Sequence, residues 1–283
     1  MGIFNLRSVA INQVAMYPTK KMVQLFLFIV LFYSVIVLFF YLFQSKFLFF
    51  PQPITSNPYL TENIEEVAVI SSDGNRLHGW LYHKKQDSPQ KLIIYFGGNA
   101  EEVSHMIPMV SMFKDWAMLL INYPGYGFSE GKPGQESFFN AALAIYDFAV
   151  SRDDIDSENV VLLGRSIGSG PAVFLAHERN VRSVILISPF ESIRAVAQSK
   201  MPFLPVGLIL KHPFPSKKFA DTVDAPLLAF YGSADSIIPQ RHTKRLAESW
   251  KGPVRLIELA SFGHNDVFES QQMWEEIIGF LNR

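Results

Sequence analysis

Six short runs of apolar residues, at 92–96, 117–122, 160–163, 184–187, 227–231 and 254–259, recur along the chain with few polar members. Continuous apolarity over so few residues is the pattern of strands covered on both faces, as in a parallel sheet. Between and after them lie segments with helical spacing, at 136–150, 171–177, 240–250 and 266–281. Ahead of the first run, two strand-like stretches, 66–71 and 77–83, flank Ser72-Asp73-Gly74-Asn75. The Asp-Gly pair at that spacing signals a tight hairpin. An antiparallel hairpin followed by alternating strands and helices predicts an α/β domain: a mostly parallel central sheet with helices on both faces.

A different pattern occupies residues 23–43, VQLFLFIVLFYSVIVLFFYLF, with Gln24 and Ser34 as its clearly polar members and no charge. About 20 apolar residues suffice to cross a hydrocarbon core as a helix. A cleaved signal peptide has a shorter apolar core, roughly 7–15 residues, followed by small residues at the cut site. Here Gln44-Ser45-Lys46-Phe47 follow instead, so a retained single-pass signal anchor is expected. Arg7, Lys20 and Lys21 precede the span, and only Lys46 follows it closely. Excess basic charge stays cytoplasmic, which predicts a cytoplasmic segment 1–22 and a catalytic domain on the extracytoplasmic side. Residues 44–62 read as a connector, its stretch 47–59 mixing aromatics with three prolines and so extended, with the membrane's interfacial belt as an equal place for the aromatics. Residues 63–283 read as one domain, with a short cap insertion at about 190–225.

Composition narrows the partners. The formal charge of −1 gives no reason to expect nucleic acid, and the absence of cysteine excludes disulfides and thiol catalysis.

Candidate chemistry begins at Gly164-Arg165-Ser166-Ile167-Gly168, directly after the run 160–163 and before a helical segment. A serine with glycine two residues to either side, between strand and helix, is the nucleophile-elbow pattern. The turn strains the serine backbone, and glycine at both flanks relieves the clash. A serine hydroxyl needs a base beside it, itself oriented by a third group. In a parallel sheet those groups converge only from loops at the carboxyl ends of strands. His264 follows the last strand in Ser261-Phe262-Gly263-His264, whereas His78 and His83 sit in the hairpin, His105 and His177 in helices, His212 in the insertion and His242 at a helix start. Asp235 follows the run 227–231; Asp221 and Asp224 precede that strand, and Asp266 is placed to cap the last helix. The order Ser166, Asp235, His264 is that of the hydrolase triad. Two backbone N–H groups must also meet the oxyanion, and Ile167 and Asn99, the latter in Phe96-Gly97-Gly98-Asn99, are the candidates. Pro171 falls late for the first turn of the helix after the elbow, which predicts an irregular start there.

The segments IYFGGNAEE (94–102), NYPGYGFSEG (122–131), LGRSIGSGPA (163–172), YGSADSIIP (231–239) and GHND (263–266), in that order, resemble the membrane-anchored serine hydrolases of the α/β-hydrolase-domain family. Relatives of that family include monoacylglycerol lipases and protein depalmitoylases. The resemblance spans the domain and implies the α/β-hydrolase fold, a triad of Ser166, Asp235 and His264, oxyanion donors at Asn99 and Ile167, and an N-terminal membrane anchor. This chain departs from the family's His-Gly-Asn with Gly97-Gly98-Asn99, and from its frequent arginine with Pro124. The first departure keeps the backbone amide but removes a side chain that would brace the loop.

The expected activity is cleavage of a carboxylic ester or thioester, of a lipid or acylated protein, through an acyl-enzyme, with neither cofactor nor metal. An amidase or peptidase using the same triad is the enzymatic alternative, since the triad does not distinguish leaving groups. A catalytically silent, membrane-tethered binding protein is the other. In the insertion, the apolar stretch 201–210 is expected to pack on the sheet, with an acyl pocket or a bilayer-facing surface as alternatives.

Overall fold

In the computed structural model, which describes residues 19–55, 61–84, 86 and 88–283, the two hairpin stretches and the six apolar runs form eight strands. They are β1 (Ile64–Ile70), β2 (Arg76–Tyr82), β3 (Gln90–Phe96), β4 (Trp116–Ile121), β5 (Ile155–Arg165), β6 (Ser183–Ile187), β7 (Leu227–Gly232) and β8 (Val254–Leu259). They make one sheet in the order β1-β2-β4-β3-β5-β6-β7-β8. The hairpin β1–β2 is antiparallel and β2 joins β4 antiparallel, while every pairing from β4 through β8 is parallel. Strand β5 begins earlier than its apolar run, because the polar residues Asp156 to Glu158 continue the extended backbone past the end of the core.

The helices are α1 (Lys20–Leu48), α2 (Gln135–Val150), α3 (Ser169–Glu178), α4 (Ile193–Lys200), α5 (Val206–Ile209), α6 (Ser216–Ala220), α7 (Gln240–Ala247) and α8 (Gln271–Leu281). Side chains alternate across the pleat. Leu92, Ile94 and Phe96 therefore meet α2 and α3 on one face, together with residues of α6 and α7. Ile93 and Tyr95 face the other way, onto α8 and a 3-10 helix at Val103–Phe113. Both faces are covered, which is why the strand runs carry so few polar residues.

The chain divides into two units between Leu42 and Phe43. The described part of the first is the bulk of α1, a helix long and apolar enough to cross a membrane. Most of its large apolar side chains stand exposed. Its polar interruption, Ser34, returns its hydroxyl to the carbonyl of Val30 at 2.8 Å, so the helix satisfies it internally. Arg7, most of the segment 1–22 and connector residues 56–60 lie outside the described residues.

The second unit opens with the last turns of α1, where the structure differs from the expected extended connector. The helix continues through Leu48. Its end is held by the buried Gln44, whose Nε2 donates to the carbonyl of Ile209 at 2.9 Å while its Oε1 accepts from the Lys211 N–H at 2.6 Å. Phe49 follows, 3% exposed, with ring centroids 5.3 Å from Phe138 and 6.3 Å from Phe214. Residues 44–50 are thus part of the folded domain.

Candidate active site

Strand β5 ends at Arg165, and Ser166 takes a φ of +50°, a left-handed conformation costly for a residue with a Cβ. A 3-10 turn at Ser166–Gly168 leads into α3 at Ser169. That turn is the irregular start expected from Pro171, which lies in the first turn of α3, where its missing N–H breaks no bond. The flanking glycines are required by close approach. A Cβ on Gly168 would lie 2.2 Å from the carbonyl oxygen of Phe96, and one on Gly164 would lie 2.8 Å from that of Gly168. Gly168→Ala should therefore push the elbow away from the end of β3 and destabilise the protein by about 1–3 kcal/mol. Thermal denaturation checks this; an unchanged melting temperature would contradict the packing described.

The three triad candidates come together. His264 Nε2 lies 2.8 Å from Ser166 Oγ, and His264 Nδ1 lies 2.7 Å from Asp235 Oδ2. All three are buried, at 9% exposure or less. Asp235 Oδ1 accepts from the N–H groups of Ile237 (2.9 Å) and Ile238 (2.7 Å), which fixes the carboxylate plane. Burial alone would raise the Asp235 carboxyl. The hydrogen bond from His264, the electrostatic attraction of that imidazole and the two backbone N–H groups outweigh it, and hold the carboxyl below the ordinary aspartate value. Its stabilising contribution is present above that ordinary value and is lost as pH falls through the lower folded value. An ionised carboxylate only accepts, so Nδ1 carries the imidazole proton and Nε2 of the neutral ring is free to accept from the serine hydroxyl.

Other candidates take different places. His78 meets Glu66, His242 meets Glu191 and His212 meets Ser45. Asp266 does not cap the last helix. Its Oδ1 accepts from the Gly263 N–H at 2.6 Å, securing the turn before His264, and Ser270 caps α8 through the N–H of Met273. A residue one turn earlier fits the loop better than the helix end.

Asn99 and Ile167 line one cleft with Ser166 and His264, of about 440 Å³. The remaining wall is largely apolar, including Leu48, Phe50, Phe190, Ile193, Val196 and Ile237. Within the stretch 201–210, Met201 lines this cleft, Leu204 and Val206 are buried, and Phe203 and Leu208 stand exposed. That stretch therefore divides among packing, cleft and surface.

A group the sequence did not single out braces the loop after β3. The carboxylate of Glu101 accepts from the Tyr95 hydroxyl (2.6 Å), the Gly98 N–H (2.7 Å) and Arg165 Nη1 (3.1 Å). The Tyr123 hydroxyl adds a bond to the Gly97 carbonyl at 2.9 Å. Together they tie the loop to the elbow, the task assigned to the family's missing histidine. Arg165 also lies over the ring of Phe268, 4.4 Å from its centroid. The paired acids of the GGNAEE segment were the available signal.

Comparisons agree with this architecture. The sequence profile of the family described as the alpha/beta hydrolase fold matches residues 91–208. An uncharacterized protein of Mycobacterium tuberculosis is 28% identical over 254 residues, covering 88% of this chain and 90% of that protein. The alpha/beta hydrolase domain-containing protein WAV2 of Arabidopsis thaliana is 27% identical over 271 residues, covering 85% and 88%. Among solved structures, an esterase of Pyrococcus furiosus superposes with a TM-score of 0.66 at 17% identity, covering 82% of this chain and 96% of that one.

Proposed function

We propose that this chain, which has the α/β-hydrolase fold, is a membrane-anchored serine hydrolase cleaving a carboxylic ester or thioester through an acyl-enzyme. The observation that carries this reading is the hydrogen-bonded series Ser166, His264, Asp235 inside a cleft with an apolar wall. Ser166 Oγ attacks the acyl carbonyl carbon as its proton passes to His264 Nε2. The carbonyl oxygen becomes an oxyanion, met by the N–H groups of Ile167 and Asn99. Collapse breaks the bond to the leaving oxygen or sulfur, which takes the proton back from Nε2. Water then repeats the sequence on the acyl-serine and frees the acid. Asp235 keeps the imidazole in the required tautomer throughout.

The apolar wall favours an aliphatic acyl group, and a lipid or an acylated protein supplies one to an enzyme carried on a membrane helix. The basic flank of α1 supports an extracytoplasmic domain. In sealed vesicles with the cytoplasmic face outward, added protease should spare the domain until detergent opens them, and cleavage without detergent would reverse the topology.

For purified full-length protein, kcat/KM on p-nitrophenyl esters should rise with acyl length, each buried methylene contributing about 0.8 kcal/mol, or roughly fourfold, until the cleft is filled. Thioesters of the same chains should follow the same order. Turnover restricted to acetyl esters would remove the acyl-cleft reading, and hydrolysis of peptides without esters would move the enzyme to the amidases.

A further inference from the structure

One side chain at the cleft has no part in the serine–imidazole–carboxylate series, yet makes three hydrogen bonds: the carboxamide of Asn99. Its Nδ2 donates to the carbonyl of Leu48 at 2.6 Å. Its Oδ1 accepts from the Phe50 N–H at 3.0 Å and from the Tyr126 hydroxyl at 2.9 Å. Two of these three bonds go to the strap of chain that leaves the end of α1. Two bonds from opposite ends of a planar amide fix that plane, not merely its position.

The strap is itself well held. Gln44 secures it before the clamp, Phe49 is buried between the two clamped residues, and the carbonyl of Gln52 accepts from the Gly127 N–H at 2.8 Å after it. The loop carrying Asn99 is braced by Glu101 and Tyr123, yet neither of these bonds is made to the Asn99 peptide itself. Gly97 and Gly98 precede it, the most permissive residues for backbone rotation, and Ala100 follows at a φ of +55°. Glu101 pins the Gly98 N–H, but the Asn99 peptide lies one residue further on. The rigid strap is therefore the reference against which that peptide is aligned. With one Nδ2 hydrogen given to Leu48 and Oδ1 taken by Phe50 and Tyr126, the carboxamide is turned toward the strap.

We propose that Asn99 is a positioning residue: its carboxamide, clamped to Leu48 and Phe50, sets the direction of its own backbone N–H toward the developing oxyanion. This rests on the acyl-enzyme reading above. It makes the stretch directly following the apolar helix a working part of the catalytic assembly, not only a tether.

The test uses the full-length protein in detergent and a p-nitrophenyl ester. Asn99→Ala keeps the backbone N–H and loses the clamp; kcat should fall about 100-fold, as for loss of one oxyanion donor, with KM within about twofold. Phe50→Pro removes one clamping N–H from the strap side and should lower kcat about tenfold. Because both act through one clamp, the double variant should be no slower than Asn99→Ala alone, whereas independent damage would multiply. Should Phe50→Pro fail to fold, affinity for a trifluoromethyl ketone, which forms a tetrahedral adduct, replaces it. Asn99→Ala should weaken that affinity in parallel with kcat/KM and leave affinity for the free fatty acid within about twofold. A kcat for Asn99→Ala within twofold of the parent, multiplying losses in the double variant, or equal loss of ketone and fatty-acid affinity would each overturn the clamp. Turnover retained by Ser166→Ala would instead overturn the acyl-enzyme reading, so the two failures are distinguishable.

Discussion

Replacing Ser166 with alanine should lower kcat for ester hydrolysis by about 10⁵- to 10⁶-fold while leaving the fold intact. The size follows from what is lost. Without Oγ no acyl-enzyme forms, and the remaining donors and cleft can assist only direct attack by water. The fold survives because alanine differs from serine by the one oxygen whose partner is His264. The backbone strain at a φ of +50° is common to both residues. Steady-state kinetics at matched thermal stability checks the prediction. A fall of less than about tenfold would mean that another group attacks the acyl carbon.

Asp235→Asn should cost about 10⁴-fold in kcat, with KM much less affected. The two amides of Ile237 and Ile238 at Oδ1 select the orientation of the new carboxamide, because that position demands an acceptor. The NH₂ group then faces His264 Nδ1. A donor there turns Nδ1 into the acceptor and drives the imidazole proton onto Nε2, where it blocks transfer from Ser166. The substitution is nearly isosteric, so the loss reports on the tautomer and not on packing. An Asp235→Asn enzyme with kcat near that of the parent would show that the carboxylate does not orient the base.

Most of the sheet was legible because its strands are covered on both faces, so burial is written directly into runs such as 92–96 and 184–187. The polar opening of β5 left no such trace, since those residues extend past the covered part of the sheet. The segment Val103–Phe113, where His105 was expected in a helix, does bury Val103, Met106, Ile107 and Val110 at helical spacing, but it winds as a 3-10 helix with Pro108 inside it, a difference that apolar spacing does not encode. At the site, Ser166, Asp235 and His264 were legible because each follows the carboxyl end of a parallel strand at the same edge, a constraint of topology and not of local preference.

Other features depend on partners far along the chain. Phe49 lies in a proline-rich stretch that looks like a solvated connector until Phe138 and Phe214 are seen around it. The brace of Glu101 on Arg165 spans 64 positions, and the bond between Asn99 and Leu48 spans 51. No periodicity announces contacts of that kind. Asp266 was misplaced for a simpler reason. Both it and Ser270 are good helix caps by type, and the tight turn at Gly263 claimed the first.

The central claim is that the hydroxyl of Ser166 is an activated nucleophile. Reaction of the purified protein with a fluorophosphonate probe, followed by peptide mass spectrometry, tests it most directly. A single stoichiometric adduct on Ser166, abolished by Ser166→Ala and strongly slowed by His264→Ala, is the predicted result; an unmodified protein, or an adduct that persists in Ser166→Ala, would contradict it.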